Sequence, residues 1–159
     1  MLSIATKRSD HRRTTRDPKE LSTGLPDPVE TLREFLAERE RTRTFAPGEF
    51  AKFERRLMDL THEVARAAIA RDLSKADEHA EAIEVEGRTL RRVLRSSQSY
   101  MTAAGPVAVE RWLYKDRTDE SSRAVAPMEL RSGIIAGFWT PEAAKQVSPP
   151  LRAQGKSPR

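Results

Sequence analysis

The sequence predicts an α+β fold: N-terminal amphipathic helices, then a small antiparallel β-sheet built on a hairpin, then short C-terminal helices, with disordered ends. Three observations predict it. Phe50, Phe53, Leu57, Leu60, Val64 and Ala68 recur at three- and four-residue steps, the period of a helix that buries one face. Residues 83 to 116 are enriched in Val, Leu, Trp and Tyr around Gly87 and the pair Gly105-Pro106, which is the composition of strands and their turns. Thr140-Pro141 then opens a further helix, with a capping hydroxyl followed by proline at the first helical position.

With 159 residues, 37% of them hydrophobic and 33% charged, the chain has room for one domain and just enough apolar material for its core. There is no cysteine, which excludes a disulfide framework, a thiolate zinc site and a thiol nucleophile. No apolar run approaches the roughly 20 residues that span a bilayer, and the opening MLSIATKRSDHRR carries charge where a signal peptide needs apolar residues. A cytoplasmic protein without a membrane partner is expected.

Residues 1 to 24, rich in Lys, Arg, Ser and Thr, bury too little surface to offset the entropy of ordering and read as a basic, disordered arm. The domain proper is expected over residues 25 to 147. It starts with Asp27 as N-cap, Pro28 at the first helical position and Glu30 in the first turn, with Val29, Leu32, Phe35 and Leu36 on one stripe. TFAPG ends that helix, and the long helix beginning near Phe50 follows, its charged face opposite an apolar seam suited to a helix hairpin or a dimer. The helix is expected to extend through SKADEHAEA. The hairpin comes next, with Val107, Val109, Arg111 and Leu113 on one face and Glu110, Trp112 and Tyr114 on the other. Such imperfect alternation implies that both faces are partly covered. TDESS reads as a loop, PMELRSGIIAGF is ambiguous, and residues 148 to 159, with Pro149 and Pro150, form a disordered tail.

No catalytic constellation emerges. His62-Glu63 lacks the second zinc ligand of a metalloprotease helix, because Arg66 stands in its place. His11 and His79 stand apart, in the arm and at a helix end. Asp59 with Glu63, and Asp77 with Glu81, are spaced four apart beside arginines, as on a solvated helix face. Neither a Gly-rich phosphate loop nor a nucleophile elbow is present. No metal, cofactor or small-molecule substrate is therefore expected.

Charge supplies the positive signal. Residues 28 to 87 hold ten Lys and Arg against fourteen Asp and Glu, whereas residues 88 to 117 hold seven cations against Glu110 and Asp116. Those cations, Arg88, Arg91, Arg92, Arg95, Arg111, Lys115 and Arg117, are the candidate DNA-phosphate contacts, with Tyr100, Trp112 and Tyr114 beside them to stack or pack. Arg91 and Arg92 must point to opposite faces of a strand, so one groove cannot take all seven. The alternative is that the arginines cover a small sheet whose core the aromatics fill.

The order of these segments resembles the N-terminal region of bacterial insertion-sequence transposases of the Kra type, over roughly residues 50 to 146. The spacing of Thr102, Gly105, Pro106, Val107, Val109, Arg111 and Tyr114 carries the resemblance, together with the string Pro127, Glu129, Gly133, Ile134, Gly137, Trp139, Thr140 and Pro141. It implies a DDE transposase whose acidic, metal-binding triad belongs to a later ribonuclease-H-like domain, so this chain is expected to be a truncated, inactive DNA-handling region whose tail a frameshift, an early stop or a broken gene copy would produce. Relatives often carry paired cysteines after the Tyr114 position, where this chain has KDRTDESSRAVAP. The expected partners are DNA and, through the helical seam, a second copy or a full-length transposase, which such a fragment could inhibit.

Overall fold

A computed structural model of the chain describes residues 4–6, 27–42, 46–119 and 121–147. In chain order these form β1 (Ile4–Thr6), α1 (Pro28–Thr42), α2 (Glu49–Lys75), β2 (Ala82–Val85), β3 (Arg88–Thr102), β4 (Gly105–Lys115), α3 (Pro127–Arg131) and α4 (Pro141–Val147). The predicted α+β class is the observed one. No described helix is long and apolar enough to cross a membrane.

Local chemistry accounts for the element boundaries. Asp27 Oδ1 accepts the backbone N–H of Val29 at 3.0 Å and so caps α1. Its Glu30 does not reach back to the cap but pairs with Arg33. Gly48, at φ 82°, opens α2. The β2–β3 turn needs two residues at positive φ, which Glu86 (51°) and Gly87 (75°) supply, the twist that a tight hairpin requires. At the other turn Thr102 Oγ1 donates to the Gly105 carbonyl at 2.6 Å and accepts the Ala104 N–H.

Two expectations need correction. The long helix stops at Lys75 instead of running through SKADEHAEA. Asp77 turns out of the helical path, where both its carboxylate oxygens accept the backbone N–H of Trp112 at 3.1 and 3.3 Å. Glu78 Oε1 takes the N–H groups of His79 and Ala80, which would otherwise have continued the helix. Within the span read as a disordered arm, Ile4–Thr6 form an edge strand. The rest of that arm, and the tail over residues 148 to 159, lie outside the described residues.

The sheet is antiparallel, in the order β1-β2-β3-β4. Its centre is the long β3–β4 ribbon, whose register runs from Thr102↔Gly105 to Arg91↔Lys115 with a bulge between Arg92 and Leu94. That bulge decides where the core lies. A strand alternates faces, so one extra residue sends the following side chains to the opposite side. Toward the ribbon tip, Tyr100, Val107 and Val109 face α2 and α3, packing with Leu73 and Met128 and with the half-buried Ile69, Ala70, Ala76 and Ile134. Beyond the bulge, Leu90, Ile83 and Tyr114 form a second core on the other face, with Ala80, Val85, Trp112 and Val125 around it. Both faces are thus partly covered, as the imperfect alternation implied, with the cover arranged diagonally.

Two stretches of sheet edge are also occupied. The outer edge of β4 exchanges hydrogen bonds between Tyr114 and Val125 and gives its Trp112 N–H to Asp77. Past the end of β2, the edge of β3 pairs Met101 with Phe138 and Thr140, which resolves the ambiguous PMELRSGIIAGF into α3 and a strand-like turn. Covered edges of this kind cannot recruit a further strand. Thr140 holds the N-terminal position of α4 with its carbonyl, accepting from Ala144, while its hydroxyl donates to the Met101 carbonyl.

Candidate nucleic-acid interface

Register sorts the seven candidate cations into groups. Arg92 pairs with Tyr114 and Arg95 with Trp112. Cross-strand partners share a face, so both arginines stand with Trp112 on the side of the second core, and Arg88, two residues before Leu90, stands there too. Arg91 and Lys115 pair with each other on the opposite face. Arg117 is exposed just beyond β4. The separation of Arg91 from Arg92 expected of a strand is observed.

Arg111 shares the face of Lys115 but is turned into the protein. Its Nε donates to Glu129 Oε1 at 2.8 Å, its guanidinium also reaches the Ser96 carbonyl, and its side chain is only 11% exposed. The same Glu129 oxygen accepts the Tyr100 hydroxyl at 2.6 Å. Burial, and next the hydrogen bond to the Glu129 carboxylate, hold the Tyr100 phenol protonated well above its ordinary range. Arg111 is thus the charge partner that lets a carboxylate sit against the first core, and it is taken out of the phosphate-binding set for that reason.

On the open face the Trp112 ring organises the cations. The Arg92 guanidinium lies 4.6 Å from the ring centroid and that of Arg95 lies 6.0 Å away, both within range of attraction to an indole face. Trp112 Nε1 donates to His79 Nδ1 at 3.2 Å, and Arg92 donates to the His79 carbonyl at 2.8 Å. The segment between α2 and β2 therefore fixes both the indole and its first arginine. Arg95 is held more loosely, by a solvent-exposed pair with Glu110 at 3.0 Å. Such a pair contributes little and exchanges readily with another anion.

Beneath this face, Tyr114 donates to the carbonyls of Glu78 and Ala80 at 3.0 and 2.7 Å. Burial, then the neighbouring Glu78 charge, push its phenol up to about 12. For Glu78 itself burial acts upward, but the hydrogen bonds from Arg131, Ala80 and His79 and the Arg131 charge outweigh it, leaving the carboxyl below its ordinary value. The Arg131–Glu78 contact, at 2.8 Å, ties α3 to the same segment. After β4, where the resembled family often carries cysteines, hydrogen bonds organise the loop. Asp116 accepts from Thr118 and Asp119 accepts from Ser121 through both backbone and hydroxyl groups, which lowers both carboxyls.

The sequence marked Trp112, Arg92 and Arg95 but missed their support. Sequence pattern places His79 at a helix end and Asp77 on a solvated helix face, yet both meet Trp112 across more than thirty positions of chain. The only local sign was the loss of apolar periodicity after Leu73. Comparison with protein families, with curated proteins and with solved structures found no match for this chain.

Proposed function

We propose that this chain is a DNA-handling module, the N-terminal region of an insertion-sequence transposase acting in DNA recombination in the cytoplasm. The arrangement of Arg92 and Arg95 around Trp112 on an open sheet face carries this reading. Guanidinium groups suit phosphate oxygens, and an aromatic surface between them positions the backbone or stacks a base. Arg88 extends the same face, while Arg91, Lys115 and Arg117 add to the field that draws the polyanion in. The resemblance of its segment order to that of Kra-type transposases supports this setting.

Counterion release provides the test. With Arg88, Arg92 and Arg95 each neutralising one phosphate, log affinity for duplex DNA falls against log salt with a slope of about −2.7. Joint substitution Arg92→Ala and Arg95→Ala leaves a slope of about −0.9 and weakens all sequences alike. Fluorescence anisotropy over a salt series reads both quantities. Arg12, Arg13 and Arg16 precede the domain and are replaced by Ala in a parallel variant. If that variant loses the salt dependence while the double substitution keeps it, the sheet face is structural and the proposal fails.

A further inference from the structure

We propose that one side of the α1–α2 hairpin, formed by Val29, Leu36, Phe50 and Leu57, docks against the same surface of a second copy of this chain. The inference stands apart from DNA binding, since it concerns the other end of the molecule. The helices run antiparallel: Phe35 stacks on Phe53 with ring centroids 5.5 Å apart, and Phe50 touches Phe53 at 6.2 Å. None of the fifteen residues of α1 is buried. Val29, Leu36 and Phe50 remain 47%, 42% and 61% exposed.

These exposed residues share a side. At about 100° per residue, Val29 and Leu36 stand to one side of the direction in which Phe35 meets Phe53, and Phe50, with half-buried Leu57, stands to that same side of the antiparallel partner. The opposite side is a groove of mixed lining, in which Glu34, Glu38, Arg41 and Arg56 stand with Phe35 and Leu60. Nor does the sheet cover the stripe, because α2 turns different residues toward it, namely Ile69, Ala70 and Leu73. Along α2 the stripe continues through half-buried Val64 to exposed Ala68, past the stretch that α1 reaches.

Charge selects the occupant. Residues 28 to 60 hold seven Lys and Arg and seven Asp and Glu, whereas residues 88 to 117 carry an excess of five positive charges. Two copies therefore repel through their sheets and can approach at their hairpins. Several hairpin charges are matched within their own helix, by Arg33 with Glu30, Arg41 with Glu38 and Lys52 with Glu49. A neutral, internally paired surface calls for no partner of opposite net charge, and an apolar stripe of this kind is self-complementary about a two-fold axis. Two helix hairpins meeting this way form a four-helix arrangement, which buries what a lone pair of helices leaves open.

Sedimentation equilibrium of the full chain over a concentration series tests the proposal. The expected result is a concentration-dependent dimer mass, whose dissociation constant rises at least about tenfold in Phe50→Glu and in Leu36→Glu, with circular dichroism showing both variants folded. Val147→Glu is the control: Val147 is 62% exposed at the end of α4, outside the hairpin, and its substitution leaves the mass unchanged. A monomer at every concentration overturns the proposal, as does a dimer that Val147→Glu weakens while the stripe variants do not.

Discussion

The helical hairpin of residues 28–60 and the β3–β4 ribbon of residues 88–117 divide charge and apolar surface in opposite ways. The hairpin has fourteen charged residues, seven of each sign, while the ribbon has nine, seven of them positive. The ribbon places Tyr100, Val107 and Val109 in one core and Leu90 and Tyr114 in another, and the charges it leaves exposed are mostly cationic, with Val93 and Leu94 exposed only around its bulge. In α1 nothing is buried, and its exposed surface mixes paired charges with an apolar stripe. A region that completes its cores internally is free to recruit a charged ligand, whereas one that does not presents the hydrophobic effect itself as its means of association.

The sharpest way to break this contrast is to remove the device by which the ribbon serves two cores. Deleting Val93, at the bulge between Arg92 and Leu94, restores plain alternation and turns either Leu90 or Tyr100 to the wrong face. Loss of a whole core exceeds the margin of about 5 to 15 kcal/mol that holds a domain together. Thermal melting followed by circular dichroism is expected to lose its cooperative transition. Retention of the parental melting curve would falsify the two-core description.

Single truncations grade the two regions next. Tyr100→Ala empties a fully buried site and strands the Glu129–Arg111 pair without its phenol, at a cost of about 3 to 5 kcal/mol. Phe50→Ala, measured at a dilution where copies are separate, removes a side chain that is mostly in water and is expected to cost under about 1 kcal/mol. Urea unfolding midpoints compare them directly. Equal losses would mean that the hairpin has a core of its own.

These residues also show what the sequence made legible. Asp27, Pro28, Gly87 and the Phe50 to Leu60 periodicity are local signals, and the elements they announce are present. The alternation along β4 correctly separated Val109 and Arg111 from Trp112 and Tyr114. Three features escaped because their causes lie far away in the chain. The end of α2 at Lys75 depends on Asp77 finding an N–H 35 residues later. Arg111 is internal because Glu129 arrives from α3, and the bulge at Val93 follows from having cover on opposite faces at the two ends of the ribbon. Of the candidate interface, the residue types could be read from composition, whereas their division between faces required the register.

The second core can be probed by pH without substitution. Tyr114 has a folded-state value of about 12 against about 10 when unfolded, so the folded state holds the proton more tightly. Its contribution is complete below pH 10 and is lost as pH rises through 12. With each unit equivalent to about 1.4 kcal/mol, the loss is about 2 to 3 kcal/mol. Tyr100 is shifted in the same direction, so Tyr114→Phe is expected to reduce the alkaline fall in melting temperature without abolishing it. Glu78 works from the acid side. Its value is depressed, so its contribution is present above the ordinary carboxyl range and fades as pH falls through the folded value. Glu78→Gln should flatten that acid limb, and an unchanged limb would mean that Arg131 is not its partner in solution.

The smallest expected effect separates cations that build the sheet from those available to a ligand. Arg95 and Glu110 pair at 3.0 Å with side chains 53% and 59% exposed, and such pairs contribute about 0 to 1 kcal/mol. Glu110→Gln should therefore move the unfolding midpoint hardly at all. It removes the carboxylate paired with Arg95, so DNA binding should tighten while the salt slope stays at about −2.7. The matching change at the buried pair, Glu129→Gln, leaves Arg111 uncompensated beneath the sheet and should cost several kcal/mol, on the order of 3 to 5, with any loss of DNA binding following from unfolding. If Glu110→Gln instead destabilises the chain and leaves the affinity for DNA unchanged, Arg95 is as structural as Arg111, and the difference between the open face and the core disappears.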